Sequence, residues 1–488
     1  MPGRLLNASP VPDFHDCSPR LPAMKDKNDF AYQAVYRYLV RLINEVQTDS
    51  TLKMPSLRQL ARRLRVSIST IQSAYALLEQ EGRICSVPKS GYYALPTSVE
   101  ETLAGEGDSV LDKLHHNVRK PGVSMLSGDE PGLLLASQGV LLNTERELVR
   151  QYPQRLDTGF QPFGDMELRS ALAARYTHDA QDCWHAEQVY IGPDLLGMLK
   201  AVVHTLRLAG SSVLVESPCS WTLLRLLQSL QVQVVEIPLD EEGGVRLAEL
   251  EHLLEAHTIS LAILSSRLNP VRGSVAPLHN RQAMAHRLNR HQVWVLENDS
   301  HGELAFDIGD MCLRELIDPQ RLLIFGSFDK LLGPEAPYGY LLCRHFESLW
   351  QEYFLLRAFD LPPMRQKAIA RLCNSGRLDQ HLVELRVLLQ ERMQAMGLLI
   401  DQHLGCRVRF EMPRGGSGIW AETQQGVDVR QVFDTLLARR LVIAPGELFS
   451  LSGLHRQYLR LGYALDWYQD VPKMLESVGE ALRLSQIR

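Results

Sequence analysis

Five short apolar runs, residues 212–216, 232–237, 261–264, 293–296 and 322–325, recur along the chain, separated by stretches long enough to hold a helix. Runs that are mainly apolar, rather than strictly alternating, suit strands covered on both faces. Their spacing predicts an α/β domain built on a mostly parallel sheet with helices packed against it. No stretch approaches the roughly 20 uncharged apolar residues of a membrane-spanning helix. With 45% hydrophobic and 22% charged residues, the 488-residue chain has enough apolar matter for a packed core, which excludes wholesale disorder. Its eight cysteines stand singly, with no CxxC pair, so neither a disulfide framework nor a metal site is expected. Pro2, Pro10, Pro12, Asp13 and Asp16 interrupt any charged-then-apolar leader, and a cytoplasmic protein is expected.

The charge is uneven. The chain carries a net −5, yet between Thr51 and Leu95 there are seven Lys and Arg against only Glu79 and Glu81. A compact basic module on an acidic body is the electrostatic footprint of a nucleic-acid reader. Helical spacing runs through Ala34, Tyr38, Leu39, Leu42, Ile43 and Val46, then through Leu57, Leu60, Ala61 and Leu64 behind the N-cap candidate Ser56. A third helix opens after Val66-Ser67 and stops at Gly82. Two β-like runs follow, residues 83–87 and 92–95, joined by Pro88-Lys89-Ser90-Gly91 as a hairpin. Three helices and a hairpin make a winged helix-turn-helix, in which the third helix enters the major groove.

This segment resembles the DNA-binding domain of the GntR superfamily. The residues that carry the likeness are 55–61, 66–71, Ala74-Tyr75, Leu78-Glu79, Glu81-Gly82 and 90–93. The resemblance implies a DNA-facing set of Lys53, Ser56, Arg58, Arg62, Ser67, Ser69, Thr70, Gln72, Lys89, Ser90, Gly91 and Tyr92. Arg58 and Lys89 would meet phosphates or grooves, and Ser67, Ser69 and Thr70 would open the recognition helix. The family often has Arg where this chain has Ile68, so its base preference does not carry over.

The rest of the chain resembles fold-type-I aminotransferases dependent on pyridoxal phosphate (PLP). Joined to the basic head, it resembles the MocR class of transcriptional regulators. The landmarks, in order, are Gly164-Asp165, Glu216-Ser217-Pro218, Asn269-Pro270, Glu297-Asn298-Asp299, Ser327-Phe328-Asp329-Lys330, Gly339-Tyr340 and Ala444-Pro445-Gly446, with Arg460. The division implied is an arm at 1–28, the winged head at 29–96, a polar linker at 97–109 and the aminotransferase-like domain at 110–488.

The resemblance places Lys330 where the Schiff-base lysine belongs, Asn269 beside the ring oxygen, Ser327 at the phosphate and Arg460 where a substrate carboxylate is gripped. Other requirements are missing. The pyridinium partner is the neutral Asn298, and Asp299 next to it should face the other way along a strand. The family's ring-oxygen tyrosine falls on Ser300 or His301, and its stacking aromatic falls on Ser220, with Trp221 one residue late. Pro193 and Asp194 stand where backbone N–H groups should receive the phosphate, and Pro337 stands at the phosphate arginine. PLP binding through Lys330 is therefore kept open, with His301 and Asn298 in the candidate set, and no catalytic residue is assigned.

The expectation is a sequence-specific DNA-binding transcriptional regulator. Its non-catalytic aminotransferase-like domain would serve homodimerisation and ligand sensing. The alternative is a PLP-dependent aminotransferase with an accessory DNA-binding head. Double-stranded DNA, a second copy of the chain and a small-molecule effector are the expected partners, with no membrane.

Overall fold

The computed structural model describes residues 31–45, 53–87, 91–94, 109–117, 120, 122–151, 161–180, 183–307, 309, 311–357 and 361–485. The chain divides into two compact units, Met1–Asp108 with His115–Val123, and Ser109–Leu114 with Ser124–Arg488. The expected arm and nearly all of the expected linker lie outside the described residues, as do Val46, Lys89 and Ser90.

The first unit holds α1 (Ala31–Glu45), α2 (Leu57–Leu64) and α3 (Ile68–Gln80), then β1 (Ile84–Val87) and β2 (Gly91–Ala94). The two strands pair antiparallel, Ile84 opposite Ala94 and Val87 opposite Gly91. Its core joins Val35, Leu39 and Ile43 of α1 to Leu60 and Leu64 of α2, Ile71, Tyr75 and Leu78 of α3, and Ile84. The buried stripe of α1 therefore centres on Val35 rather than on Ala34 and Tyr38, which are half-buried, because steps of four from Val35 point most directly at α3.

Both α2 and α3 start on serine caps. The Ser56 hydroxyl accepts from Gln59 N at 3.2 Å, and that of Ser67 from Thr70 N at 3.1 Å. Arg65 ends α2 in the left-handed region at φ 54°, which turns the chain tightly into α3. Replacing Ser67 with alanine strips a helix N-terminus of one acceptor. It should cost the first unit about 1 kcal/mol, read as a lower midpoint for its thermal transition in the full-length chain.

The strands of the second unit are β3 (Ser124–Met125), β4 (Val189–Gly192), β5 (Ser212–Ser217), β6 (Gln233–Pro238), β7 (Ile259–Ser265), β8 (Trp294–Asn298), β9 (Leu322–Ser327) and β10 (Gly339–Cys343). They continue with β11 (Val408–Phe410), β12 (Gly418–Thr423), β13 (Leu441–Val442), β14 (Ala444–Pro445) and β15 (Tyr458–Gly462). Helices α4 (Val110–Asn117), α5 (Val140–Gln151), α6 (Met166–Tyr176), α7 (Leu195–Thr205) and α8 (Trp221–Ser229) follow α3 in the chain.

Seven strands form the main sheet in the order β4-β10-β9-β8-β7-β5-β6. Each expected apolar run overlaps one of β5 to β9, and those five pair in parallel. Only β10 runs against its neighbours β4 and β9. Met198, Leu199 and Val202 of α7 and Leu223, Leu224 and Leu227 of α8 pack with Val213 and Val215 of β5 in one buried cluster.

The carboxyl ends of β4, β5, β7, β8 and β9 fall on one edge, at Gly192, Ser217, Ser265, Asn298 and Ser327. Open α/β sheets take their ligands on that edge. A second sheet, β11-β12-β15-β14, is antiparallel. Arg460 stands in β15, opposite Trp420 and Ala444. The segment after β3 is led past it: β3 pairs with β13, and Gly462 N then donates to Leu126 O at 2.5 Å. A Cβ on Gly462 would lie 2.7 Å from Gly128 O, so glycine is needed for the two backbones to come this close. That approach delivers Asp129 to Arg460.

Candidate functional site

Lys330 lies on a single turn, Asp329–Leu332, directly after β9. Its ammonium donates to Asp129 O at 2.5 Å and lies 3.4 Å from Asp129 Oδ2 and 3.7 Å from Asp329 Oδ2. Arg460, 3% exposed, reaches the same carboxylate, with Nη2 at 3.1 Å from Asp129 Oδ1, and donates to Ser417 Oγ at 2.7 Å. His301 Nε2 is 3.5 Å from Asp129 Oδ1, and the Ser417 hydroxyl donates to that oxygen. One carboxylate thus joins the lysine, the arginine, a histidine and a hydroxyl.

Burial alone would push the Asp129 carboxyl up. The cations of Lys330 and Arg460, with His301, outweigh it and hold the group well below the usual carboxylate range. Burial would likewise pull the Lys330 amine down, but Asp129 and Asp329 outweigh that and raise it. Lys330 is therefore kept as an ammonium, which has no lone pair to attack an aldehyde.

The seat for a pyridine ring, at the ends of β5, β7 and β8, is spoken for by internal bonds. Asn269 donates through Nδ2 to Glu216 Oε2 at 3.1 Å and to Pro218 O at 3.2 Å, while its Oδ1 accepts from Val271 N and Arg272 N. Both amide hydrogens are in use, so none is left for a ring oxygen. Glu216, whose carboxyl is raised by burial against bonds from Ser265 and Asn269, puts an acid in that seat. Pro218, Ser220, Leu264, Asn269 and Asn298 line a cavity of about 20 Å³, room for roughly one water molecule.

Asn298 Oδ1 accepts from Ser300 N at 3.2 Å. Asp299 is turned elsewhere, taking the Tyr176 hydroxyl at 2.6 Å and Arg314 Nη2 at 2.8 Å. Arg314 also pairs with the fully buried Glu297, whose carboxyl burial pushes up to about 7 against the pull of that arginine. Ser300 Oγ is 3.0 Å from His301 Nδ1. Ser220 bonds Thr222 at the start of α8, and Trp221 is half-buried in its first turn.

At the phosphate seat, Asp194 caps α7 and accepts from Gly197 N at 2.6 Å. A carboxylate of the chain itself thus occupies the helix N-terminus where an anion would bind. Gly339 closes this corner, since a Cβ there would lie 2.3 Å from Asp194 O. Ser327 Oγ donates to Asp329 at 2.5 Å, and Pro337 is exposed. Measured against the needs of PLP, these residues do not fit. The amine is charged and paired, the ring seat holds an acid and little space, and the phosphate seat carries a negative charge.

In the first unit, Lys53, Ser56, Arg58, Arg62, Ser67, Ser69 and Gln72 are exposed, as are Arg63 and Arg65. Lys53 pairs with Tyr93 through an isolated bridge, and its Nζ lies 5.9 Å from that ring. Ser67, Ser69 and Thr70 are tied together: Ser67 Oγ is 2.8 Å from Ser69 Oγ and 2.7 Å from Thr70 Oγ1. Gly91 has φ 113°, and Tyr92 packs edge-on against Tyr75 with ring centroids 4.9 Å apart, half-buried.

Sequence reasoning missed Asp129, Ser417 and the role of Glu216. Asp129 sits in an aperiodic Ser-Gly-Asp-Glu-Pro stretch whose partners lie far away in the sequence, and nothing in that stretch singles it out from its neighbour Glu130.

Residues 31–93 match bacterial regulatory proteins of the gntR family, and residues 137–465 match aminotransferase class I and II. An uncharacterized HTH-type transcriptional regulator of Escherichia coli, YjiR, is 27% identical over 446 residues, covering 88% of this chain and 94% of that one. The 2-aminoadipate transaminase of Thermus thermophilus is 27% identical over 282 residues, 56% of this chain and 70% of its own. The solved structure of the α-aminoadipate aminotransferase LysN of Thermus thermophilus, complexed with N-(5'-phosphopyridoxyl)-L-leucine, superposes with a TM-score of 0.67 at 22% identity, over 77% of this chain and 95% of that one. The chain belongs to the aminotransferase class I and II family, with a gntR-type helix-turn-helix domain fused at its N-terminal side.

Proposed function

We propose that the protein is a cytoplasmic, homodimeric transcriptional regulator that binds double-stranded DNA through its winged head. Its aminotransferase-like domain would serve assembly and effector sensing without PLP chemistry. The observation that carries the reading is the head itself, where a capped, exposed α3 follows an α2 bearing Arg58, Arg62 and Arg63 on its solvent side. Exposed cations beside a helix-turn-helix supply phosphate contacts, and the helix supplies base contacts. The relatives named as transcriptional regulators share both parts over nearly their full length.

The Asp129 carboxylate between Lys330 and Arg460 argues against turnover, because both groups that would engage a cofactor and an amino acid are already paired. Two heads on a two-fold dimer would meet two half-sites.

A gel-shift titration tests the reading. Arg58→Glu should weaken binding to specific and unrelated duplexes alike, and should flatten the log–log salt dependence by about one unit for one lost phosphate contact. Unchanged affinity and slope would remove Arg58 from the interface. Absence of any salt-dependent DNA binding by the full-length protein would sink the regulator reading.

A further inference from the structure

The exposed face of α3 is chemically narrow. Its sequence, Ile-Ser-Thr-Ile-Gln-Ser-Ala-Tyr-Ala-Leu-Leu-Glu-Gln, contains no Lys or Arg. The commonest specific contact in a major groove, a cationic side chain on guanine O6 and N7, therefore cannot come from this helix. The hydroxyls are tied to one another and to the backbone, which orients them within the helix start. Ser67 bonds Thr70 N, Ser69 and Thr70 both bond Ser67, and Ser73 Oγ donates to Ser69 O at 3.1 Å.

Two exposed side chains in the first turns carry no such tie. Ile68, the first helical residue, is 45% exposed, a large apolar group standing among hydroxyls. Gln72 is exposed, and its side chain makes no hydrogen bond among the described residues. Four residues apart, they share one helix face at about 5–6 Å. That separation spans one to two base-pair steps of about 3.4 Å.

We propose that Ile68 and Gln72 read an A·T-bearing step in the major groove, Ile68 packing on a thymine C5-methyl and Gln72 pairing with adenine N6 and N7. The assignment rests on the DNA-binding reading above. Its chemistry is that of an apolar side chain against the one apolar group the groove displays, and of an amide against adenine's paired donor and acceptor. Arg58, Arg62 and Arg63 on α2 set the register on the backbone without choosing the bases.

The test begins by enriching a duplex from a random library with the full-length protein, followed by anisotropy titrations on that duplex. Each thymine is exchanged for uracil, which deletes the methyl, and each adenine for 7-deazaadenine, which deletes N7. One thymine exchange should weaken wild-type binding about fourfold, the worth of one buried methyl-sized group. One adenine exchange within two steps of it should cost about fivefold or more.

Ile68→Ala should bind the thymine and uracil duplexes equally, and Gln72→Ala should be blind to the deaza exchange. Both sites are exposed, and matched melting curves will establish that each variant folds. If a specific duplex is enriched but tolerates every thymine and adenine exchange, or if Ile68→Ala keeps the full methyl penalty, the assignment falls while DNA binding stands. If nothing is enriched and binding is absent, the DNA-binding reading falls with it.

Discussion

Asp129→Ala should lower the thermal midpoint of the second unit by a few degrees, and acetate should restore part of the loss. Removing one member of a buried ion pair costs about 3–5 kcal/mol, because the remaining charge is stranded. Here two cations lose a carboxylate, though Lys330 keeps the Asp129 carbonyl and Asp329, and Arg460 keeps Ser417. Arg460 is 4% exposed in its side chain and Lys330 19%, whereas Asp129 is 37% exposed, so water already screens part of the attraction. A loss of about 2 kcal/mol follows after that discount.

The deleted carboxylate leaves a place lined by the Arg460 guanidinium, the Lys330 ammonium and the Ser417 hydroxyl, which the carboxylate of acetate matches in charge. In Asp129→Ala the midpoint should therefore rise saturably with sodium acetate relative to sodium chloride at equal ionic strength. The wild type should show no such difference, and Asp129→Ala with Arg460→Met should lose it. Equal behaviour of acetate and chloride on Asp129→Ala would show that the site does not hold a carboxylate.

The pH dependence carries the same signature. A depressed carboxyl stabilises the fold fully above its unfolded pKa of about 3.9, and that contribution disappears as pH falls through the folded value. Wild type and Asp129→Asn should therefore differ at neutral pH and converge in acid. The raised Lys330 has the opposite sign, contributing below about 10.4 and losing it as pH climbs through the folded value.

Local pattern made the architecture legible. Strands covered on both faces are mainly apolar, so β5 to β9 stand out as runs even though β6, at the sheet edge, carries Gln233 and Glu236, and Ser56 and Ser67 mark helix starts because an orphan N–H needs an acceptor one turn away. The edge strand β4 and its antiparallel neighbour β10 were less visible, since their register depends on partners remote in sequence. That Asn298, Pro193 and Pro337 stand where the resemblance expects cofactor-binding groups could also be read off, because identity is a property of a position. What those positions meet in the fold could not. Asp129 meets Lys330 only because β3 joins β13 and the chain then passes β15, a path that no periodicity encodes. Asn269 illustrates the same limit. It has the right identity for a ring-oxygen contact, yet both of its amide hydrogens go to Glu216 and Pro218.

PLP added to the wild-type chain should give no visible absorbance band that depends on Lys330, whereas a restored variant should gain one. The variant would carry Asp129→Ala to remove one of the two carboxylates at the lysine, Asp194→Ser to remove the carboxylate while keeping a cap on α7, Asn298→Asp for the ring nitrogen and Pro337→Arg for the phosphate. A desolvated charge pair is worth on the order of 2–5 kcal/mol. Restoring two of them should tighten binding by about three orders of magnitude or more, at roughly 1.4 kcal/mol per decade. Lys330→Ala in the restored background is the control, and the band must vanish there. A strong band in the wild type that Lys330→Ala abolishes would mean that Asp129 yields the lysine to an aldehyde and that the lost groups were dispensable. The domain would then be a PLP sensor despite its charges. A band in the restored variant alone would mean that the scaffold still has the geometry of a cofactor site, and that side-chain charge, with Asp129 foremost, is what keeps the cofactor out.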